Sequence, residues 1–219
     1  GAIVEVNAET DFVARNETFQ EFVITVTRLA LDTGNDTTTL ENAPYPGTDK
    51  NVGEHLGELI ATVGENMNLR RAAALSVDKG IIGSYVHNAL SPGLGRIGVL
   101  VSLDSSAPAA DLKILGKQLA MHIAAASPQA VSPEDVDSSD LDRERSVLAE
   151  QARASGKPEE IIEKMVEGRL RKFYEEVCLL EQTFVIDGET KVRKVLEDVA
   201  EDLGVPVAVR GFARIALGE

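Results

Sequence analysis

Residues 3–16 read IVEVNAETDFVARN, a short alternating apolar strand that runs directly into the start of a helix. Thr10 is suited to cap that helix through its hydroxyl, and Asp11 suits the positive N-terminal helix end. The next segment is amphipathic, with apolar residues every three or four positions. Its apolar stripe consists of Phe19, Phe22, Val23, Val26 and Ala30. This stretch therefore predicts a strand followed by a helix with one buried face.

Phe12 lies outside that apolar stripe, at the tip of the first helical turn, and has two interpretations. In the structural interpretation, the Phe12 ring closes a small apolar cluster over the sheet. The functional one is an anchor for a partner protein, because buried aromatic residues dominate the binding energy of many interfaces. Only 4% of the residues are aromatic and there is no Trp, so a binding aromatic residue would stand out.

Composition restricts the class of protein. The 219 residues, 43% of them hydrophobic, are enough for one large domain or two compact ones. A formal net charge of −14 argues against nucleic-acid binding, because such a chain repels the phosphate backbone. No apolar run approaches the roughly 20 residues that span a bilayer, so no membrane association is expected. The single cysteine, Cys178, excludes an internal disulfide framework. We expect a cytoplasmic protein.

Turn residues and hydrophobic periodicity divide the first half of the chain. Residues 33–50 are rich in Gly, Asn, Asp, Thr and Pro, which predicts a loop. A helix is predicted over 52–63 and another over 109–126. Between them, three strand-like runs are separated by turn residues and are expected to be antiparallel neighbours. These runs are 69–77, 81–87 and 97–103.

The second half begins with an acidic linker over 132–140 and then changes in pattern. Charged residues flank a narrow apolar seam with spacing close to that of a coiled coil. The seam consists of Ile162, Val166, Leu170, Phe173, Val177 and Leu180. Gly156 and Pro158 supply a helix stop and a helix start, so 141–181 is predicted to be an antiparallel helical hairpin. A short strand over 184–186, a helix over 192–203 and a final strand over 207–217 follow.

Most candidate chemistry fails on context. Residues 93–98, GLGRIG, match a dinucleotide-binding fingerprint, but they precede a strand and open no helix, so a turn is favoured.

The three histidines lack metal-ligand spacing, and no metal or cofactor is expected. They are His55, His87 and His122. His122 falls on the apolar side of its helix, as a core histidine would. Cys178 has no nearby His or second Cys and is predicted to be a buried structural thiol.

Several segments resemble the bacterial elongation factor Ts family, and they follow one another in the family order over nearly the whole chain. The most specific is Val6-Asn7-Ala8-Glu9-Thr10-Asp11-Phe12-Val13-Ala14-Arg15-Asn16. The others are GENMNLRRA at 64–72, GSYVH at 83–87, IGVLV at 97–101, AMHIAA at 120–125, SGKP at 155–158, EKMVEGR at 163–169 and GFAR at 211–214.

The resemblance implies an α+β fold with two subdomains of antiparallel sheet flanked by helices and an inserted antiparallel coiled-coil hairpin. On that plan, residues 1–110 form the N-terminal core subdomain. Residues 111–140 and 182–219 form the C-terminal one, and 141–181 form the inserted hairpin. The family usually carries a small helical module before the first strand, and we expect that module to be missing here.

The family exchanges nucleotide on the GTPase elongation factor Tu, so the resemblance implies a binding protein without a catalytic residue. Phe12 would wedge between helices of the GTPase near its magnesium and phosphate loop. The implied partner-binding residues are Thr10, Asp11, Phe12, Val13, Ile97, Gly98 and His122. The hairpin is a candidate surface for a homodimer or a two-plus-two complex. A helical scaffold and a small-molecule enzyme that uses the turn at 93–98 remain as alternatives.

Overall fold

The computed structural model describes residues 1–154, 156 and 158–219, without the side chain of Asp140. Ser155 and Lys157, part of the SGKP motif, lie outside the described residues. The chain divides into two compact units, residues 1–124 with 209–219, and residues 125–208. The predicted subdomain boundaries remain a prediction. In the described part, no helix is both long enough and apolar enough to cross a membrane.

The first unit is built from two small sheets and the helices that cover them. Its elements are β1 (Ala2–Ala8), α1 (Asp11–Ala14), α2 (Glu17–Thr33), α3 (Thr37–Asn42), α4 (Val52–Val63), β2 (Met67–Ala74), β3 (Gly80–His87), β4 (Ile97–Ser105), α5 (Ala109–Ala126) and, after the second unit, β5 (Val207–Ala216). Strands β1 and β2 pair antiparallel, and β3, β4 and β5 form the second sheet in that order. The α+β class is therefore confirmed.

The prediction that the three middle runs are neighbours was only half right. Strands β3 and β4 pair antiparallel, but β2 pairs with β1 and not with β3. Turn residues tell where the chain bends and not which strand it then joins. Pairing with β1 lets β2 bury Met67 and Leu69 in the same core as α2 and α4.

The predicted loop over 33–50 was also wrong in part, because α3 occupies six of those residues. The carboxylate of Asp36 accepts the N–H of Thr38 at 3.0 Å and caps the helix. Three threonines in a row have low helix propensity, so the composition of this segment does not predict a helix. Leu40 is fully buried in the core, and this tertiary burial outweighs the local preference.

The helices that flank these sheets follow the predicted periodicity. In α2, Phe19, Phe22, Val26 and Ala30 are buried, and Val23 packs against the same core. Helix α4 ends at Gly64, which has a left-handed conformation (φ 79°). Helix α5 approaches β3 very closely. A Cβ on Gly83 would lie 2.5 Å from the carbonyl oxygen of Gly116, so position 83 requires glycine.

The second unit contains α6 (Ser138–Arg153), α7 (Glu159–Val177) and α8 (Val192–Leu203), with short 3-10 helices at Pro133–Asp135 and Leu179–Glu181. Helices α6 and α7 pack through one apolar cluster, made of Leu148, Ala152, Ile162, Val166 and Leu170. The predicted strand at 184–186 was wrong. Only an isolated bridge joins Thr183 to Lys191, because the Asp187 carboxylate accepts two N–H groups and closes a turn there.

Candidate functional site

The side chain of Phe12 is 86% exposed, so the interpretation as a closing residue over the sheet was wrong. Its neighbour Val13 is only 4% exposed and belongs to the core of the first unit. Successive helical residues point in directions about 100° apart, so burying Val13 turns the ring of Phe12 outward. The other five Phe residues, all in the described part, are buried or half-buried.

The predicted hydroxyl cap of Thr10 was wrong, and the reason lies in a distant residue. Thr10 occupies the N-cap position of α1, but its side chain makes no cap hydrogen bond. Instead its hydroxyl donates to Glu65 Oε1 at 2.7 Å, and its backbone N–H donates to Oε2 at 3.1 Å. A carboxylate that accepts two donors holds the start of α1 more firmly than the local cap would.

Two further contacts hold the Phe12 turn, by which we mean residues 10–16. Asp11 forms an ion pair with Arg96 at 3.3 Å, between two well-exposed side chains. Gln20 donates through Nε2 to the carbonyl of Ala14 at 3.0 Å and accepts from the hydroxyl of Ser91 at 3.2 Å. Contacts from α2, from the α4–β2 connection and from the β3–β4 connection therefore all act on the turn. Sequence reasoning missed these residues because nothing local pairs them.

The predicted residues Ile97 and Gly98 begin β4, directly after Arg96, and both are half-buried. The ion pair of Arg96 with Asp11 therefore places the start of β4 next to the Phe12 turn. A Cβ on Gly98 would lie 2.4 Å from Ile3 Cδ1, so the side chain of Ile3 packs directly against the backbone at this glycine. His122 is different, because it is fully buried on α5 and does not share the exposed surface of Phe12.

Behind the exposed surface, β1 carries a buried carboxylate. Glu5 accepts from Arg70 Nη1 at 2.9 Å and from Arg71 Nε at 2.5 Å, and its side chain has no exposed area. Burial raises the pKa of Glu5, but the hydrogen bonds from Arg70, Arg71 and Asn7 outweigh it. The pKa therefore lies below its usual value, and the buried group stays ionised.

Comparison with known proteins identifies the family. The family model described as "Elongation factor TS" matches residues 9–219. An elongation factor Ts from Rhodospirillum centenum is 64% identical over 219 residues, which cover 100% of this chain and 71% of that protein. Those from Paramagnetospirillum magneticum and Rhizobium etli are 60% and 51% identical, over 100% and 99% of this chain and 70% of each relative. The chain belongs to the elongation factor Ts family.

As a member of this family, the protein is a translation elongation factor. The remaining candidate sites are judged on their geometry. Residues 93–98 form the end of the β3–β4 connection and the start of β4, so the predicted turn is confirmed. No helix follows whose N-terminus could hold a pyrophosphate. Within the described residues, no group of His, Cys, Asp and Glu side chains could hold a metal ion.

Cys178 of this elongation factor Ts chain is a buried structural thiol, as predicted. Burial raises its pKa to about 11, and the carboxylates of Glu181, Glu134 and Asp135 add to the shift. A thiol with this pKa is almost entirely protonated at neutral pH and is a poor nucleophile.

Proposed function

We propose that the protein binds elongation factor Tu and promotes the release of GDP, so that GTP can replace it. The observation that carries the proposal is the exposure of Phe12 on a turn that three other segments brace. An exposed phenyl group on a rigid support loses little conformational entropy on binding. It has the properties of an interface anchor.

Exchange by such a protein is a coupling of two binding equilibria. A factor that binds the empty GTPase more tightly than the loaded one must weaken nucleotide binding by the same ratio. Each tenfold of that ratio requires about 1.4 kcal/mol of differential contact. Burial of the Phe12 ring in the partner supplies about 2–3 kcal/mol, which is enough for more than a tenfold effect.

By analogy with the family, Phe12 inserts near the nucleotide and magnesium site of elongation factor Tu. Displacing the magnesium ion weakens the binding of the phosphates, because the ion neutralises their charge. Thr10 and Asp11 flank the ring and complete this contact, and Val13 anchors it from below. In this proposal the protein acts through binding alone, as an exchange factor.

Ile97 and Gly98 form a second contact area in this proposal, next to the first through the Asp11–Arg96 pair. His122 is the remaining family-implied residue. Because its ring is buried, we propose that it supports α5 beneath the contact surface.

The deciding experiment measures the release of fluorescent GDP from elongation factor Tu. Phe12→Ala is expected to lower the stimulated rate at least tenfold, with an unchanged unfolding transition. Leu31→Ala is the matched control, because Leu31 on α2 is also exposed, at 56%. A Phe12→Ala protein that stimulates release at the wild-type rate would contradict the proposal.

We also propose that the pair α6 and α7 is a coiled-coil hairpin that mediates self-association. Val147 and Ile161 remain exposed on these two helices although the cluster between them is buried. Light scattering of the wild type and of the double variant Val147→Ser/Ile161→Ser tests this idea. A mass of one chain for the wild type would exclude a homodimer.

A further inference from the structure

A groove between two strand edges of the first unit has not been used so far. It is an open surface groove with a volume of about 490 Å³. Residues 70–73 of β2 and 212–215 of β5 line it. Side chains of successive strand residues point to opposite faces of the sheet, so one face presents only every second residue. A groove lined by four consecutive residues must therefore run along the edge of the strand. Backbone groups as well as side chains therefore border the groove.

The β2 edge of the groove has an unused backbone position. Gly1 and Leu75 exchange two hydrogen bonds of 2.9 Å, so Ala72 and Ala74 direct their N–H and C=O groups away from β1. Asn35 Oδ1 accepts the N–H of Ala74 at 2.7 Å, in agreement with this direction. In the part of the chain that the structure describes, the backbone of Ala72 makes no hydrogen bond to a loop, turn or other element outside the sheet.

The β5 edge has more open positions. Strand β5 is the outer strand of its sheet, so one of its edges is not covered by β4. Leu217, directly after β5, donates its N–H to the carbonyl of Arg96 at 3.0 Å. Because neighbouring residues of a strand direct their backbone groups to opposite edges, we infer that Phe212, Arg214 and Ala216 face away from β4. The carbonyl of Ala216 accepts from Arg71 Nη2 at 3.0 Å, which agrees with this assignment. Phe212 and Arg214 thus present backbone donors and acceptors to the groove.

The charge of the groove is opposite to that of the whole chain. Three arginines line the groove: Arg70, Arg71 and Arg214. Only two carboxylates pair with them, those of Glu5 and Glu219. This local positive excess lies in a chain with a net charge of −14. Arg70 and Arg71 keep 39% and 35% of their side chains exposed. Glu219 contacts Arg214 at 2.5 Å and shows which kind of group these guanidinium groups bind.

We propose that the groove binds an extended acidic peptide segment of a partner protein. The peptide adds to the free edge of β5 by backbone hydrogen bonds, and a carboxylate on the peptide pairs with Arg70. A free phosphate would use the guanidinium groups but not the strand edges, so the peptide explains both features. This inference does not depend on nucleotide exchange, because it involves none of residues 10–16.

The test uses the full chain and a blocked six-residue peptide that alternates valine with glutamate. Three other probes are compared with it: the same peptide with glutamine, the glutamate peptide with methylated backbone nitrogens, and inorganic phosphate. Binding is followed by the amide NMR signals of Ala72, Phe212 and Arg214. We expect the glutamine and N-methyl peptides to bind at least tenfold more weakly than the glutamate peptide.

Variants locate the binding site. Arg70→Gln should weaken the glutamate peptide at least fivefold, and Arg70→Lys should restore part of the loss because it keeps the charge. Arg210→Gln is the matched control on β5, since Arg210 pairs with Asp104 outside the groove. It should change the affinity less than twofold, as should Phe12→Ala.

Four results would overturn the proposal. Two of them are an affinity of the glutamine peptide, or of the N-methyl peptide, equal to that of the glutamate peptide. The third is that phosphate alone shifts the amide NMR signals as the glutamate peptide does. The fourth is that Arg70→Gln binds the glutamate peptide as tightly as the wild type. If the arginines serve only to keep these edges from pairing with other molecules, the wild type will bind no peptide, and Arg70→Gln will self-associate.

Discussion

Thr10 and Glu65 lie 55 positions apart, yet one carboxylate accepts both the hydroxyl and the backbone N–H of the threonine. Glu65 directly follows the C-cap of α4, at the approach to β2. The turn that carries Phe12 is thus oriented by the junction of another helix and strand. The rigidity of the candidate site depends on this tertiary contact.

Removal of the Glu65 carboxylate is expected to loosen the Phe12 turn. We expect Glu65→Ala to lower the global stability by about 1 kcal/mol, since Thr10 is exposed and Glu65 is only half-buried. We also expect it to speed amide exchange at residues 11–14. Stimulated GDP release should fall in parallel. In a double-mutant cycle, Thr10→Val should add little once Glu65 is replaced. Fully additive losses would show that the two residues act separately.

The contact between Gly98 and Ile3 predicts a specific rescue. Gly98→Ala should cost about 1–3 kcal/mol of unfolding free energy, because the new methyl group overlaps Ile3 Cδ1. Ile3→Val removes that atom, so the double variant should be more stable than the sum of the single losses predicts. Urea denaturation measures all four proteins. Gly57→Ala, where the added Cβ meets nothing within 4 Å, is the control.

The buried Glu5 predicts a loss of stability in acid. Because the pKa of Glu5 is lowered in the folded state, its contribution is present above pH 4.5 and is lost as the pH falls through the lower folded pKa. Glu5→Gln should cost about 2 kcal/mol at pH 7. The difference in unfolding free energy from the wild type should shrink as the pH falls below 4.5.

Urea unfolding at several pH values checks this expectation. Glu21→Gln, an exposed position on α2, should run parallel to the wild type over the whole range. A constant difference between Glu5→Gln and the wild type down to pH 3 would mean that the carboxylate contributes nothing through its charge.

Cys178 should react slowly with thiol reagents in the folded protein. Its side chain is fully buried and burial raises its pKa to about 11, so both access and thiolate concentration are low at pH 8. We expect labelling by iodoacetamide to be at least a hundredfold slower than in urea. Native labelling at the denatured rate would refute the assignment as a structural thiol.

The long amphipathic helices could be predicted from sequence, because their stability comes from a periodic face that the sequence displays. The stripe of α2 and that of α5 are examples. Helix α3 could not, because its three threonines disfavour a helix and the burial of Leu40 compensates. The pairing of β2 with β1 was equally hidden, since turn residues carry no information about partners.

The site divides in the same way. Phe12 could be singled out from the sequence because it breaks the apolar period, and the motif around it pointed to the family. The sequence offered no sign of Glu65, Arg96 or Gln20 as its supports, since ordinary polar residues gain such roles only from their neighbours in space. His122 shows the converse, because its apolar helix face correctly predicted burial.

The sequence by itself determined the family, the amphipathic helices and the odd position of Phe12, because all three are written in local order and periodicity. Tertiary structure decided which strands pair, where Thr10 donates its hydrogen bonds and how Arg70 and Arg71 come to lie beside β5. These features join residues that are distant in the chain. They form because the folded core brings those residues within hydrogen-bond distance, which no local pattern encodes.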